Sequence, residues 1–142
     1  NIKIDMTEIK KKTSNGMTNR RKGHTAERIY ATAFKELGFD KCVTSRYGSR
    51  IHDDAAIDLI NVPFNVQIKA GKQKAMKPEE VLKDISVRIV DKFPKNAPEH
   101  NYPNIVIHRR EVGPGKRRGP FDDIVTMSFE DFTKILKMIK WE

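Results

Sequence analysis

Residues 56–69 constrain this chain more than any other stretch. They read Ala56-Ile57-Asp58-Leu59-Ile60, then Asn61-Val62-Pro63-Phe64, then Asn65-Val66-Gln67-Ile68-Lys69. Two β-rich runs on either side of a short Asn/Pro turn predict a hairpin. With the turn centred on Val62-Pro63, Ile60 opposes Asn65, Leu59 opposes Val66 and Asp58 opposes Gln67. Opposed residues share a face, about 5 Å apart at Cβ. Lys69 lies two residues beyond Gln67 and projects to the same side. Ile57, Leu59, Val66 and Ile68 take the other face, which is uniformly apolar and suits a core. A carboxylate, an amide oxygen and an ammonium are thus expected together on one side of a sheet.

Those three groups suit one kind of chemistry. Hydrolysis of a phosphodiester needs the phosphate charge neutralised, a water activated and the leaving oxygen stabilised. Asp58 and Gln67 are hard oxygen donors suited to Mg2+, with the backbone carbonyl of Ile68 as a third. Lys69 would position the attacking water or stabilise the pentacovalent phosphorane. Taken alone, Asp58 and Lys69 also read as a surface ion pair. The upstream segment from Gly23 to Glu27 favours the chemical reading, and the formal net charge of +9 points to a polyanionic partner, nucleic acid first.

Hydrophobic residues make up 37% of the 142, enough for a globular core. The length suits one domain, read as 19–142 behind a basic flexible arm over 1–18 that carries Lys10, Lys11 and Lys12. The chain opens on Asn1 rather than Met, as expected of a sequence that lacks its true N-terminus. The lone Cys42 excludes an internal disulfide and a Cys-rich zinc site, and favours a reducing compartment such as the cytoplasm. No run of about 18 apolar residues is present, so no membrane span is expected.

Asn19 is a plausible N-cap for a helix over about 20–37. Its apolar face is Ala26, Ile29, Tyr30, Ala33, Phe34 and Leu37, and Gly38 stands as C-cap. Glu27 lies on this helix and would hold a metal-bound water. A first strand over 41–46 and a loop over 47–55 precede the hairpin. Lys77-Pro78 opens a helix to about Phe93, with Val81, Leu82, Ile85, Ile89 and Val90 or Phe93 buried. A Pro/Asn loop follows, then a strand over 104–108, a basic Gly/Pro loop over 113–120 and a strand over 123–127. Ser128 caps a last helix with Asp131 at its third position. Its stripe of Ile135, Leu136, Ile139 and Trp141 reads as core or a dimer seam. This order predicts an α/β fold with a central mixed sheet flanked by helices.

The order of an acidic residue on a helix, Asp on a strand and X-X-Lys on the next strand resembles the PD-(D/E)XK nuclease superfamily. Arg21-Lys22-Gly23-His24-Thr25-Ala26-Glu27-Arg28 and Leu37-Gly38-Phe39 are similar to the opening of the archaeal-type Holliday junction resolvases. Ser45-Arg46 and Gly48-Ser49 resemble that group's Ser/Arg/Gly loop. The likeness covers roughly residues 20–71. It implies a restriction-endonuclease-like core with Glu27, Asp58, Gln67 and Lys69 at the catalytic positions. It further implies Mg2+ as cofactor (Mn2+ substituting) and a homodimer nicking four-way DNA junctions symmetrically. Gln67 departs from the Glu usual in the resolvases, and Mrr-like restriction endonucleases of the superfamily often carry Gln there. Gln removes one negative charge from the site, which Asp53, Asp54 or Glu27 would have to supply. Asp54 is also a longer-spaced alternative to Asp58.

DNA contacts are expected from Arg20, Arg21, Lys22 and Arg28 on the first helix, and from Ser45, Arg46 and Ser49 in the loop. Lys72 and Lys74 would extend the basic surface past Lys69, with Arg109, Arg110, Lys116, Arg117 and Arg118 beyond them. Tyr47 is a weaker candidate, for base stacking. The four histidines lack zinc spacing. The readings left open are a junction resolvase, a Mrr-like nuclease on duplex DNA, and a DNA-binding protein with weak or lost catalysis. The last open reading is a basic protein-interaction module. A small stand-alone nuclease of this kind would suit a virus or mobile element.

Overall fold

The first helix, α1 (Met6–Glu36), starts well before Asn19. Residues 6–18 therefore continue the helix, where a flexible arm was expected. Met6, Glu8, Met17 and the lysines are good helix formers, and one Gly16 does not outweigh them. The computed structural model describes residues 6–71 and 76–141, with side chains from residue 20 onward. Lys72 and Lys74 lie outside the described residues.

α1 ends as the sequence predicts. Gly38 takes φ +111°, its N–H donates to the Lys35 carbonyl (3.0 Å), and the Phe39 N–H donates to the Phe34 carbonyl (3.0 Å). This is a Schellman cap, and the Phe34 and Phe39 rings meet at 5.8 Å to complete its apolar contact.

The chain then forms β1 (Val43–Thr44), α2 (Ser45–Gly48) and α3 (Arg50–Asp54). Two short helices stand where a loop was expected. The Ser49 hydroxyl caps α3 by accepting the His52 N–H (3.4 Å), a local bond that composition alone does not reveal. β2 (Leu59–Ile60) and β3 (Asn65–Gly71) follow. α4 (Pro78–Lys92), with Pro78 at its start, crosses over to β4 (Asn104–Arg110), and β5 (Asp123–Thr126) and α5 (Phe129–Met138) complete the chain. The Ser128 hydroxyl accepts the Asp131 N–H (3.0 Å), as its capping pattern predicts.

The fold is mixed α/β, with two separate small sheets. β3, β4 and β5 form one, with β3 and β4 parallel and β5 antiparallel to β4. α4 supplies the crossover that a parallel pair requires. β1 and β2 form the other, antiparallel, with Val43 opposite Ile60 and Thr44 opposite Leu59. The expected ladder between β2 and β3 is absent. Asn61, at φ +65°, donates from its amide to the Lys41 carbonyl (2.8 Å) and draws β2 toward β1. Asn65 is fully buried and its N–H donates to the Pro103 carbonyl (2.9 Å), which draws β3 toward β4.

Two cores cover the faces of the main sheet. Val66, Ile68, Ile105 and Ile107 pack with Ala26 and Tyr30 of α1. Val106 packs with Ile57 and with Ile85, Ile89 and Phe93 of the α4 region. Val90 is 76% exposed, so Phe93 completes the α4 stripe. Ile139 and Trp141 are also exposed, and neither belongs to a core. Among the described residues no helix is long and apolar enough to cross a membrane.

Candidate active site

The site grows from the seam that replaces the expected hairpin. Asp58 is still held to β3, but by two separate bonds rather than by a ladder. Its N–H donates to the Val66 carbonyl (2.7 Å), and its Oδ2 accepts the Ile68 N–H (2.7 Å). Both bonds go to the residues flanking Gln67, one through the Asp58 backbone and one through its carboxylate. On its other side the Asp58 carbonyl accepts the Ser45 N–H (2.8 Å). Asp58 thus joins the two sheets, and its carboxylate caps an N–H that a continuous ladder would have satisfied.

Burial pushes the Asp58 carboxyl up from 3.8 to about 7. The Ile68 N–H opposes that rise, Glu27 adds to it, Lys69 lowers it and Asp53 raises it again. Glu27, Asp53 and Lys69 therefore each lie within electrostatic reach of Asp58. Glu27 and Lys69, both distant from Asp58 in sequence, thus act on its carboxyl. Asp54 instead faces Arg50 (3.8 Å).

Gln67 is buried, and its Oε1 has no hydrogen-bond partner. An orphaned buried acceptor costs roughly 1–3 kcal/mol. Such a cost persists in a fold when the atom has a partner of its own to meet, and a hard cation is one such partner. Lys69 is exposed, not sealed within the apolar layer. Among the described residues no three His, Cys, Asp or Glu side chains converge. The donor set expected from the sequence, the Asp58 carboxylate, the Gln67 amide and the Ile68 carbonyl, holds only one such side chain.

Glu27 receives Arg46 at 3.4 Å, so Arg46 is engaged at the site's edge. Ser45 is buried, and it serves the site through its backbone N–H rather than by presenting a side chain to DNA. The Ser49 hydroxyl lies 2.6 Å from His52 Nδ1, and His52 Nε2 lies 3.1 Å from Glu99 Oε1. These contacts fix α3 against the segment after α4.

His108 was passed over in the sequence because its spacing fits no zinc motif. In β4 it pairs in register with Lys69 and is 3% exposed, and its ring donates from Nε2 to the Gly71 carbonyl (3.3 Å). Its alternation with Ile105 and Ile107 would have placed it on the Gln67–Lys69 side of the sheet.

Beside the site, Arg21, Lys22, Arg109, Arg110 and Arg118 line one cleft of about 390 Å3 between α1 and the ends of β3 and β4. Lys22 pairs there with Glu111. Asp123 gathers Arg109 (3.2 Å), Arg118 (3.0 Å) and the Tyr30 hydroxyl. Burial alone would raise Asp123, but Tyr30, Arg118 and Arg109 outweigh it and hold the carboxyl below its usual range. Arg118 also donates to the carbonyls of Arg110 and Asp122 (2.8 Å each), so it folds onto the strands rather than waving in a loop. Arg20, Lys116 and Arg117 are exposed. Arg28 lines a different cleft, with Lys35 and Tyr47.

Burial, reinforced by Asp123, lifts the Tyr30 phenol to about 12. Ultraviolet titration should show one of the three tyrosines ionising about two units late. Asp123→Asn should bring that step down, and an unmoved titration would contradict the contact.

Compared with protein-family models, with curated proteins and with solved structures, the chain matches none.

Proposed function

We propose that this chain is a metal-dependent DNA endonuclease, with branched DNA such as a four-way junction as its substrate. The observation that carries this reading is a buried Asp58 carboxyl under the influence of Glu27, Lys69 and Asp53, bonded to a strand whose buried Gln67 oxygen has no partner. A carboxyl lifted to about 7 by burial is one that a cation would restore to its charged form. The oxygen donors fit Mg2+, with Mn2+ as substitute: Asp58 and Gln67 would hold it, with the Ile68 carbonyl. When bound, Mg2+ would neutralise phosphate charge and make a water more acidic.

The protein's own groups supply the rest. Lys69, exposed at the end of the site, would hold the attacking water or offset charge on the phosphorane. Glu27, steered by Arg46, would orient a water from the helix side. Arg21 and Arg110 would grip neighbouring phosphates, the net charge of +9 giving long-range attraction. Symmetrical nicking of a junction needs two sites, so the reading implies two copies of the chain.

A second reading, a DNA-binding protein with weak or lost catalysis, rests on Gln67 supplying no charge. Labelled four-way junction, flap and linear duplex, incubated with and without Mg2+, separate these readings. Paired nicks at the junction centre are expected. Cutting of plain duplex selects a Mrr-like nuclease. Binding without cutting in either metal selects the second reading, and no salt-sensitive binding removes DNA altogether. Neutralising Arg21 and Arg110 together should lower the salt slope of binding by about two units, one per phosphate contact. An unchanged slope would place the DNA elsewhere.

A further inference from the structure

The short helix α2 is pinned at both ends. Ser45 is 1% exposed, and its N–H donates to the Asp58 carbonyl (2.8 Å). Gly48 lies so close to β2 that a Cβ there would meet Ile60 Cδ1 at 2.6 Å and Val43 Cγ2 at 3.4 Å. Between these anchors Arg46 reaches Glu27 (3.4 Å), and Tyr47 is left 82% exposed. The turn therefore holds an aromatic ring in solvent on a fixed support.

Tyr47 lines a cleft of about 510 Å3 between α1, β1 and α2. The α1 wall is Arg28, Ala31, Thr32 and Lys35, one stripe at three- and four-residue steps. Ala31 is buried and leaves the space open, while Arg28, Thr32 and Lys35 stand exposed around it. No carboxylate lines the cleft, and neither cation is ion-paired among the described residues. The Glu27–Arg46 pair joins the same two helices, so the cleft adjoins the edge of the candidate site.

Arg28 and Lys35 are two helical turns apart, about 10 Å, which lets them meet different phosphates of one strand. The ring of Tyr47 offers a face on which a base can stack, whichever base it is. Paired duplex keeps its base faces covered and can use the cations alone. We infer that this cleft binds single-stranded DNA, with one base stacked on Tyr47 and the backbone crossing Arg28 and Lys35. The inference rests on the DNA-binding part of the reading above, independent of catalysis, and adds that an unpaired stretch of the substrate is held here.

Fluorescence anisotropy of a labelled oligothymidine of about 12 nucleotides, with the full chain and no metal, provides the test. Tyr47→Ala should lower affinity for the oligonucleotide about tenfold, and Tyr47→Phe should keep it within about twofold. Duplex binding by Tyr47→Ala should also stay within about twofold of the parent. Arg28→Gln and Lys35→Gln should each flatten the salt slope of oligonucleotide binding by about 0.7. Tyr47→Ala that binds the oligonucleotide like the parent, or loses duplex equally, overturns the inference. So does polyglutamate that displaces the strand as well as unlabelled oligothymidine does, which would make the cleft a site for acidic protein. A parent that binds and cuts junctions but ignores the oligonucleotide overturns the inference and leaves the nuclease reading intact. Absence of salt-sensitive binding to any DNA overturns both.

Discussion

Asp58→Asn should make the protein more stable at pH 8 and, by the same change, unable to cut DNA. The Asp58 carboxyl is lifted from 3.8 to about 7 by burial, so the folded chain holds a proton that the unfolded chain releases. Stability from this group is complete below about pH 4 and is lost as pH rises through about 7. At roughly 1.4 kcal/mol per unit, the full shift bounds the penalty at about 4 kcal/mol above pH 7. Asn keeps an oxygen to accept the Ile68 N–H (2.7 Å in the parent) and never bears the charge. Thermal unfolding should therefore show the variant several degrees more stable at pH 8, and the gap should close toward pH 4. Saturating Mg2+ should raise the parent alone. Cleavage should fall at least about a thousandfold, because the charged oxygen that binds the cation is gone. A variant that is no more stable at pH 8 would contradict the buried carboxyl. One that still cuts would remove Asp58 from the mechanism.

Lys69→Ala should behave in the opposite way. Lys69 is exposed, and no ion pair to it is seen among the described residues, so its loss should shift stability by no more than about 0.5 kcal/mol. Its expected work is in the transition state, where removing one charge-stabilising group costs about a hundred- to a thousandfold. Junction affinity should stay within a few-fold. Single-turnover cleavage beside equilibrium binding reads both quantities. Equal loss of binding and cutting would make Lys69 a phosphate anchor instead.

The sequence shows these two residues more clearly than it shows the strands that carry them. Two helix caps were legible because their signals are local: Gly38 needs only a left-handed φ, and Ser128 only the N–H of Asp131, whereas Asn19, expected as an N-cap, lies inside α1. The strand alternation around Val66 and Ile68 was legible for the same reason. The pairing of β2 was not, because it is decided by Asn61 reaching Lys41 and by Asn65 anchoring beside Pro103, contacts between segments far apart in the chain. The outcome is a seam in place of a ladder. Asp58 still reaches the site, since its carboxylate supplies the bond that the missing ladder would have made to Ile68. His108 and Asp123 were invisible as site neighbours for a related reason. Their roles depend on β4 lying parallel to β3 and on β5 closing beside β4.

Calorimetric titration of Mn2+ into the metal-free protein tests the central claim most directly. The account predicts one saturable site in the parent, several-fold tighter binding in Gln67→Glu, which adds a negative charge at the same oxygen, and none in Asp58→Asn. Equal Mn2+ binding by all three proteins, or by none, would show that Asp58 and Gln67 do not share a cation.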